Sequence, residues 1–272
     1  MDDVVDLAPA AFAASTALSE PRITLQAWRS PAIAHGFMGR QGGVSEGAFA
    51  TLNLARWVND DHPAVTENWR RWHSTFPGLK PVCLNQVHAN DVWTVESDQG
   101  DLRPAADGMV TTVPGVALCI FTADCVPILL VDFERGVVGA LHSGWRGTLA
   151  NIAAAGVRAM VALGARPAAM RAALGPAIGF CCFEVDATLA ERFAAELPES
   201  RAHARPGRRG KAHLDLRAII SEQLAQAGLD TIRVATIGPC THCANDRYFS
   251  RRAAQSSVTG LQMSFVALQP RG

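Results

Sequence analysis

Three residues of a kind that binds transition metals each lie inside an apolar stretch of this chain. They are His88 in LNQVH, Cys125 in FTADC and His142 in VVGALHSGWRG. An imidazole or thiol at the end of an apolar strand needs a partner, because burying a polar group without one costs free energy. Two imidazoles and one thiolate suit zinc or copper and leave a fourth coordination position for water or substrate. The set therefore predicts an enzyme with a metal centre.

The spacing of these ligands limits the kind of site they form. Gaps of 37 and 17 residues are far from the short spacing of a structural zinc finger, so the fold must bring the ligands together. Without a metal, Cys125 would act as a nucleophile and His142 as its base, with a third group orienting the imidazole, in amide hydrolysis or deamidation. Asp124, beside the thiol, is predicted to orient a ligand, act as a base or bind a ribose hydroxyl.

The sequence also predicts an anion site next to His142. The motif HSGWRGT runs from a predicted strand into a predicted helix, so its backbone amides would lie at a helix N-terminus, which favours phosphate or carboxylate. Arg146 and, in GRQGG, Arg40 would add guanidinium groups, and Gly42 and Gly43 would let backbone amides approach a ligand. The alternative is that the glycines of HSGWRGT only form a turn and Arg146 pairs with a surface carboxylate.

The remaining cysteines are expected to be structural. Cys240 and Cys243 form a CxxC pair in CTHC, which can be redox-active or bind a metal. A structural role is preferred, because no second CxxC is present to complete a four-cysteine zinc site and no thioredoxin-like βαβ context precedes the pair. Cys181 and Cys182 are expected to pack in the core. The cysteine total of seven is odd, and the acidic start of the chain does not resemble a signal peptide. These features favour a reducing, cytoplasmic setting with free or metal-bound thiols.

The elements that must position these residues indicate a mixed α/β protein. Residues 1–20 are predicted to form a flexible arm, and residues 21–272, which contain no dividing linker, a single domain. A run of three or four strands rich in Val, Ile and Leu is expected between about 106 and 148, as for strands covered on both faces. Helices are predicted at about 63–76, 148–164, 186–197 and in LDLRAIISEQLAQAGL, with Thr148 as a cap.

Composition excludes several classes of function. The net charge is zero and 49% of residues are apolar, so nucleic-acid and membrane partners are not expected. Asp124, Pro114 and Pro127 interrupt the longest apolar stretch, which favours two buried strands over a membrane span. With Lys80 and Lys211 as the only lysines, a Schiff-base mechanism is disfavoured.

The chain strongly resembles the YfiH family, also called the laccase-domain family, whose members are known as polyphenol oxidases and as purine nucleoside phosphorylases. The resemblance covers roughly residues 33–252, in family order. The matching stretches are HGFMGRQGGVSEG, TLNLA, LNQVH, ADGMVTT, LCIFTADCVPILLVD, VGALHSGWRGT, ALGPAIGFCCFEV, LDL, GPCTHC and YFSRR. It implies a layered α/β/β/α fold with mixed central sheets, similar to that of some bacterial toxin deamidases that use a Cys–His pair.

The resemblance also implies a function. The residues matching His88, Cys125 and His142 would hold zinc, with copper as an alternative. The expected activity is phosphorolysis of adenosine, inosine and methylthioadenosine with inorganic phosphate as co-substrate, together with deamination of adenosine. By resemblance, the catalytic and substrate-binding residues are expected among Cys125, His142, Asp124, Arg40, Asn53, Gln86 and Arg146. The partner would be a small-molecule nucleoside, and the protein a monomer or homodimer.

A copper-dependent polyphenol oxidase is disfavoured by the histidine pattern. A multicopper centre needs many histidines, usually in His-x-His pairs, and this chain has eight histidines with no such pair. Because copper binds such ligands more tightly than zinc does, residual dye oxidation could come from adventitious copper. A metal or nucleoside sensor without turnover is a further alternative.

Overall fold

The computed structural model describes residues 22–97, 100, 102–254 and 258–270, together with the backbone of the strand Asp3–Val5. Of the arm predicted at 1–20, only that strand belongs to the described part. It pairs in parallel with the strand Arg22–Leu25. The rest of the predicted arm lies outside the described residues, so its flexibility stays a prediction.

Two six-stranded mixed sheets form the centre of the molecule. In spatial order, the first contains β1 (Asp3–Val5), β2 (Arg22–Leu25), β3 (Ile33–Met38), β15 (Gln262–Leu268), β7 (Val116–Thr122) and β4 (Lys80–Cys83). The second contains β14 (Val234–Thr236), β10 (Arg171–Leu174), β8 (Val126–Asp132), β9 (Val137–Ser143), β6 (Gly108–Thr111) and β5 (Val92–Thr94). A small third sheet contains β11 (Glu184–Asp186), β13 (Lys211–Leu214) and β12 (Ala204–Pro206).

Helices cover the outer faces of both large sheets. The α-helices of the described residues are α1 (His62–Thr75), α2 (Trp145–Leu149), α3 (Ile152–Ala162), α4 (Ala187–Glu196), α5 (Leu216–Gln226) and α6 (Arg251–Ala254). Trp69 and Trp72 of α1 are buried against the first sheet. α3 and α5 contribute to the core on the outer face of the second sheet. The layers are therefore helix, sheet, sheet and helix.

Alternation along the central strands shows why they are apolar on both faces. In β7, Leu118 and Ile120 face the core between the sheets, whereas Cys119 and Phe121 face the α1 side. In β8, Leu129 faces the core between the sheets while its neighbours face the helices. Side chains of a strand alternate between its two faces, so a strand buried on both sides must be apolar throughout. The predicted pair of buried strands is confirmed.

The helix predicted from Thr148 to Gly164 is wrong at its start. The chain forms the five-residue helix α2 first and then breaks at Asn151, which lies in the left-handed region with φ 56°. The Asn151 side chain accepts a hydrogen bond from the amide of Ala154 and caps α3. Asparagine tolerates the left-handed region and is a strong N-cap, so it divides a stretch whose apolar pattern reads as continuous. Gly164, with φ 93°, follows the helix end as predicted.

No helix in the described part of the chain is both long and apolar enough to cross a membrane.

The role of Asn151 can be tested by two substitutions. We expect Asn151→Ala to lower the free energy of unfolding by about 2 kcal/mol, because it removes the cap (about 1 kcal/mol) and forces alanine into the left-handed region (about 1 kcal/mol). Asn151→Gly is the control, since glycine accepts that conformation and costs only a few tenths at a cap. Urea unfolding measures both. Equal stability losses would contradict this explanation of the break.

Candidate metal centre and active site

The structure brings the three predicted metal ligands together. One ligand atom from each of His88, Cys125 and His142 lies within 4.8 Å of the others. The two imidazole rings are nearly perpendicular, with centroids 4.8 Å apart. His142 is buried, Cys125 is partly buried and His88 is exposed. The set therefore has a buried floor and an open side.

The crossing of the chain between the two sheets explains this convergence. Cys125 lies in the turn between β7 of the first sheet and β8 of the second, and His88 lies between β4 and β5, which are also in different sheets. His142 is in β9, which pairs with β8 so that Pro127 lies opposite His142. Two crossovers and one strand end thus meet at the same rim of the double sheet.

A buried carboxylate, Asp107, organises the site. Its Oδ1 is 2.7 Å from Nδ1 of His142, and its backbone carbonyl accepts a hydrogen bond from the His142 amide. Because an ionised carboxylate only accepts hydrogen bonds, Nδ1 carries the proton and Nε2 is left to face Cys125 or a metal. Sequence reasoning missed Asp107, although it lies in the ADGMV stretch and matches the unnamed third group expected to orient the imidazole.

The same carboxylate also fixes the loop that carries His88. Oδ2 of Asp107 accepts hydrogen bonds from the amides of Val87 (3.1 Å) and Ala89 (2.7 Å). His88, between them, has φ 62°, a left-handed conformation that non-glycine residues rarely adopt. Strain of this kind persists only when the surroundings impose it, and it is concentrated at functional sites. One side chain therefore positions two of the three candidate ligands.

Gly144 leaves the space in which the ligands meet. A Cβ at this position would lie 2.9 Å from Sγ of Cys125 and 3.2 Å from Cδ2 of His88. Its φ is −80°, so the requirement for glycine is steric and does not come from backbone strain. Gly144 is thus more than a turn residue of HSGWRGT.

We expect Gly144→Ala to weaken zinc binding by about ten- to a hundredfold, the range seen when residues that position metal ligands are changed. The added methyl would push Cys125 away from His88 without straining the backbone. Competition with a chromophoric chelator measures the affinity. Gly147→Ala is the matched control, because the nearest neighbours of its added methyl are Ala89, His142 and Ile152 atoms and neither Sγ of Cys125 nor the His88 ring. Equal affinities for the two variants would exclude the steric role of Gly144.

Charge attraction couples Cys125 and His142. Burial opposes ionisation of both groups and is the largest single influence on each. The attraction and hydrogen bond between them, with Asp107 behind the imidazole, nevertheless lower the pKa of Cys125 to about 6 and raise the pKa of His142 to about 9. Burial also opposes ionisation of Asp107, but the bonds to His142 and Ala89 keep the pKa of that carboxyl below its usual value. Without metal, the site therefore holds a thiolate–imidazolium pair near neutral pH.

This pairing predicts the pH dependence of alkylation in zinc-free protein. The thiolate is the reactive form, so with the pKa lowered to about 6 the rate at Cys125 should rise through about pH 6 and be nearly flat above pH 7. Iodoacetamide labelling resolved by peptide mass spectrometry separates Cys125 from the other thiols. In His142→Gln the cation is lost, and the midpoint should move towards the ordinary cysteine value of about 8.5. An unchanged midpoint in that variant would contradict the ion pair.

Asp124 joins the turn of Cys125 to three other segments. Its φ is 94°, and its carboxylate accepts hydrogen bonds from the Thr241 hydroxyl (2.6 Å) and the Arg252 amide (2.7 Å). Its backbone carbonyl accepts a bond from the amide of Ile178. These contacts hold the turn that carries Cys125. The roles expected from the sequence, which are to orient a ligand, act as a base or bind a ribose hydroxyl, stay predictions.

Two predicted substrate contacts are occupied within the fold. Asn53 is fully buried: its amide group donates to Asp60 and to the carbonyl of Ala55, and its oxygen accepts from the amides of Ala55 and Leu261. All its hydrogen-bonding positions are thus used by other groups of the protein, and its expected role at the substrate stays a prediction. Gln86 donates to the carbonyl of Phe121 and accepts from the amide of the same residue, so it ties the His88 segment to the end of β7.

The two predicted anion-binding arginines differ in their surroundings. Arg40 donates to the carbonyls of Ala50 (2.6 Å) and Asn245 (2.7 Å) and lies over the Phe249 ring. Burial lowers the pKa of Arg40. Arg146 is exposed and lies over the ring of Trp145, 4.3 Å from its centroid. Arg146 is thus the more accessible of the two for a dissolved anion.

The backbone part of the predicted anion site is weaker than expected. HSGWRGT does pass from a strand into a helix, but α2 has only five residues, so few peptide dipoles add at its start. In the Gly-rich loop, Gly42 has φ 94°, whereas Gly43 is not in the left-handed region. The Gly43 amide donates to the hydroxyl of Thr51 and is not directed at a ligand.

The expectation that Cys181 and Cys182 pack in the core is wrong. Cys181 is exposed and Cys182 only partly buried, and their sulfurs lie within 4.8 Å of those of Cys240 and Cys243. The sequence contains no second CxxC, which is why this cluster was not anticipated. An adjacent pair from a distant loop takes the place of the missing motif, and only the fold brings that loop to CTHC.

Comparison with known proteins gives a consistent result over most of the chain. Residues 34–269 match the family model described as multi-copper polyphenol oxidoreductase laccase. A purine nucleoside phosphorylase of Streptomyces coelicolor is 40% identical over 237 residues, which cover 86% of this chain and 94% of the relative. A purine nucleoside phosphorylase of Deinococcus radiodurans is 37% identical over 260 residues, which cover 93% of this chain and 96% of the relative.

Solved structures agree with the layered fold. The crystal structure of YlmD from Geobacillus stearothermophilus has a TM-score of 0.86 and 33% identity, covering 94% of this chain and 98% of YlmD. The hypothetical protein YfiH of Bacillus licheniformis has a TM-score of 0.83 and 29% identity, covering 88% of this chain and 97% of that protein. The α/β/β/α arrangement expected from the sequence is confirmed.

Proposed function

The chain belongs to the YfiH family, and on that premise we propose that it is a metal-dependent purine nucleoside phosphorylase. The observation that carries this proposal is the meeting of His88, Cys125 and His142 at one rim of the double sheet. It is supported by relatives named purine nucleoside phosphorylase, which the chain matches over most of their length. Adenosine, inosine and methylthioadenosine are the proposed substrates, with inorganic phosphate as the second reactant.

The three residues fit a zinc ion on their own chemistry. Their ligand atoms lie within 4.8 Å of one another. Asp107 is hydrogen-bonded to Nδ1 of His142, and the missing side chain of Gly144 leaves space beside Cys125 and His88. A carboxylate behind a ligating histidine is the usual arrangement at zinc centres. With three protein ligands and an exposed side at His88, the set has the form of a catalytic site and differs from a closed structural one. Bound there, zinc would polarise a substrate oxygen or activate a nucleophile.

The chain's own residues would bind and orient the reactants. In phosphorolysis a phosphate oxygen forms a bond to C1′ of the ribose as the bond from C1′ to the purine nitrogen breaks, and the purine leaves with a proton. Arg146, exposed beside the site, would bind the phosphate, and Arg40 would contribute the guanidinium hydrogens not already directed at Ala50 and Asn245. Fixed positive groups at the developing charge are commonly the largest contribution to such catalysis. Asp124 and Gln86 would keep the Cys125 turn and the His88 segment in place.

Two further activities are proposed for comparison. With water directed at C6 of the purine, the same site would deaminate adenosine, releasing ammonia and giving inosine. A metal-free thiol hydrolase is the alternative from another class of enzyme. It is favoured by one specific observation: the Cys125 thiolate lies beside the His142 imidazolium, which is in turn bound by the Asp107 carboxylate. Such an arrangement activates cysteine nucleophiles. A copper polyphenol oxidase is the least favoured, since only one histidine-containing cluster that could hold a metal is found among the described residues.

We expect zinc-loaded protein to convert adenosine and phosphate into adenine and ribose 1-phosphate, resolved by chromatography. Arg146→Ala should raise the KM for phosphate by roughly tenfold or more, because a hydrogen bond to a charged group contributes about 1.5–3 kcal/mol. Arg158→Ala is the matched control, an exposed arginine on α3.

The product pattern separates the alternatives. Adenosine consumption that does not depend on phosphate and yields inosine would indicate deamination instead of phosphorolysis. Amide hydrolysis that persists after chelation of zinc and is lost in Cys125→Ser would indicate the thiol hydrolase. Absence of adenine from zinc-loaded, folded protein would refute the proposed function.

A further inference from the structure

A second sulfur-rich cluster lies apart from the site described above. The Sγ atoms of Cys181, Cys182, Cys240 and Cys243 all lie within 4.8 Å of one another. Sγ of Cys243 is 3.4 Å from that of Cys182 and 3.7 Å from that of Cys181. Zinc bound tetrahedrally by four thiolates, with Zn–S distances of about 2.3 Å, holds its sulfurs about 3.8 Å apart. The cluster therefore has the spacing of a four-thiolate zinc site.

The two loops that supply these cysteines are bound to each other by their backbones. The amide of Thr241 donates to the carbonyl of Ala177, and the amide of Gly179 donates to Sγ of Cys240 at 3.1 Å. A Cβ on Gly179 would lie 3.1 Å from Cβ of Cys240 and 3.3 Å from Sγ of Cys181. Glycine thus permits the close approach of the two loops, and an amide already donates to one sulfur.

Two arginine side chains lie near the cluster. Zinc with four thiolates carries two net negative charges, so a site of this kind benefits from nearby cations. Arg252 donates to the carbonyls of Cys182 (3.2 Å) and Glu184 (3.0 Å). Arg205 donates to the carbonyl of Phe180 at 3.5 Å. Two guanidinium groups from other segments therefore contact the loop that carries Cys181 and Cys182.

From this geometry we propose that Cys181, Cys182, Cys240 and Cys243 bind a second zinc ion in a closed, structural four-thiolate site. All four residues have free thiols, and a CxxC pair with two further cysteines from another loop supplies the full coordination of such a site. With no position left for water or substrate, its role differs from that of the His88, Cys125 and His142 site.

The position of the cluster indicates what the ion stabilises. Thr241, between two of the proposed ligands, donates its hydroxyl hydrogen to Asp124, and the Arg252 amide donates to the same carboxylate. Asp124 precedes Cys125 in the turn between β7 and β8. Zinc at the four cysteines would therefore fix the two loops that support the turn carrying Cys125.

Zinc content tests the proposal independently of catalysis. Protein purified under reducing conditions without chelator, titrated with zinc and freed of excess, should hold about two zinc ions per chain. The variant His88→Asn/Cys125→Ser, which lacks the first site, should hold about one, and so should Cys240→Ser/Cys243→Ser. Cys83→Ser, outside both clusters, is the matched control and should hold about two. Elemental analysis and native mass spectrometry give the counts.

X-ray absorption at the zinc edge identifies the ligands. In the His88→Asn/Cys125→Ser variant, the remaining zinc should show about four sulfur neighbours at about 2.3 Å. A folded sample of that variant with no zinc, or with nitrogen and oxygen neighbours, would overturn the proposal, as would disulfides among the four cysteines that persist under the reducing conditions. If Cys240→Ser/Cys243→Ser fails to fold, the absorption measurement still decides the question.

Discussion

A single buried carboxylate, that of Asp107, is the constraint on which the proposed catalytic site depends. One oxygen holds the imidazole of His142, and the other accepts two amides of the loop that carries His88. A buried carboxylate is costly unless its oxygens are satisfied. Here the bonds that satisfy the charge also align two ligands from different segments, so the energetic requirement of the carboxylate and the geometric requirement of the site are met by the same contacts.

The double sheet provides the frame in which this carboxylate works. Strands covered on both faces are apolar throughout, and the candidate metal ligands lie where such strands end. Cys125 lies where the chain leaves the first sheet for the second, and His88 lies at another crossover between the same sheets. His88 itself has a left-handed backbone conformation, and so does Asp124, the residue before Cys125. Strain of this type is tolerated where the surrounding hydrogen bonds impose it, as those of Asp107 and Asp124 do.

The two sulfur-containing clusters are linked through Asp124. Its carboxylate accepts from Thr241 and Arg252, which lie beside the four-cysteine cluster, and the next residue in the chain is Cys125. If both clusters bind zinc as proposed, the closed site stabilises the loops and the open site carries the chemistry. This division follows from ligand number: four protein ligands complete a tetrahedral shell, whereas three leave a position for a reactant.

Periodicity and residue type were enough to predict the mixed α/β class, the buried central strands and the helix His62–Thr75, because these depend on local burial patterns. Metal-binding residues in apolar stretches identified His88, Cys125 and His142, and resemblance supplied the layered fold. Neither the residue pattern nor the resemblance indicated that the hydrogen bonds of Asn53 are made within the protein, that Asn151 divides a helix, or that Asp107 orients His142. The four-cysteine cluster was also missed, because it depends on contacts between distant parts of the chain. Its pairs are separated by about sixty residues of chain, and side chains that far apart become neighbours only through the packing of the whole fold.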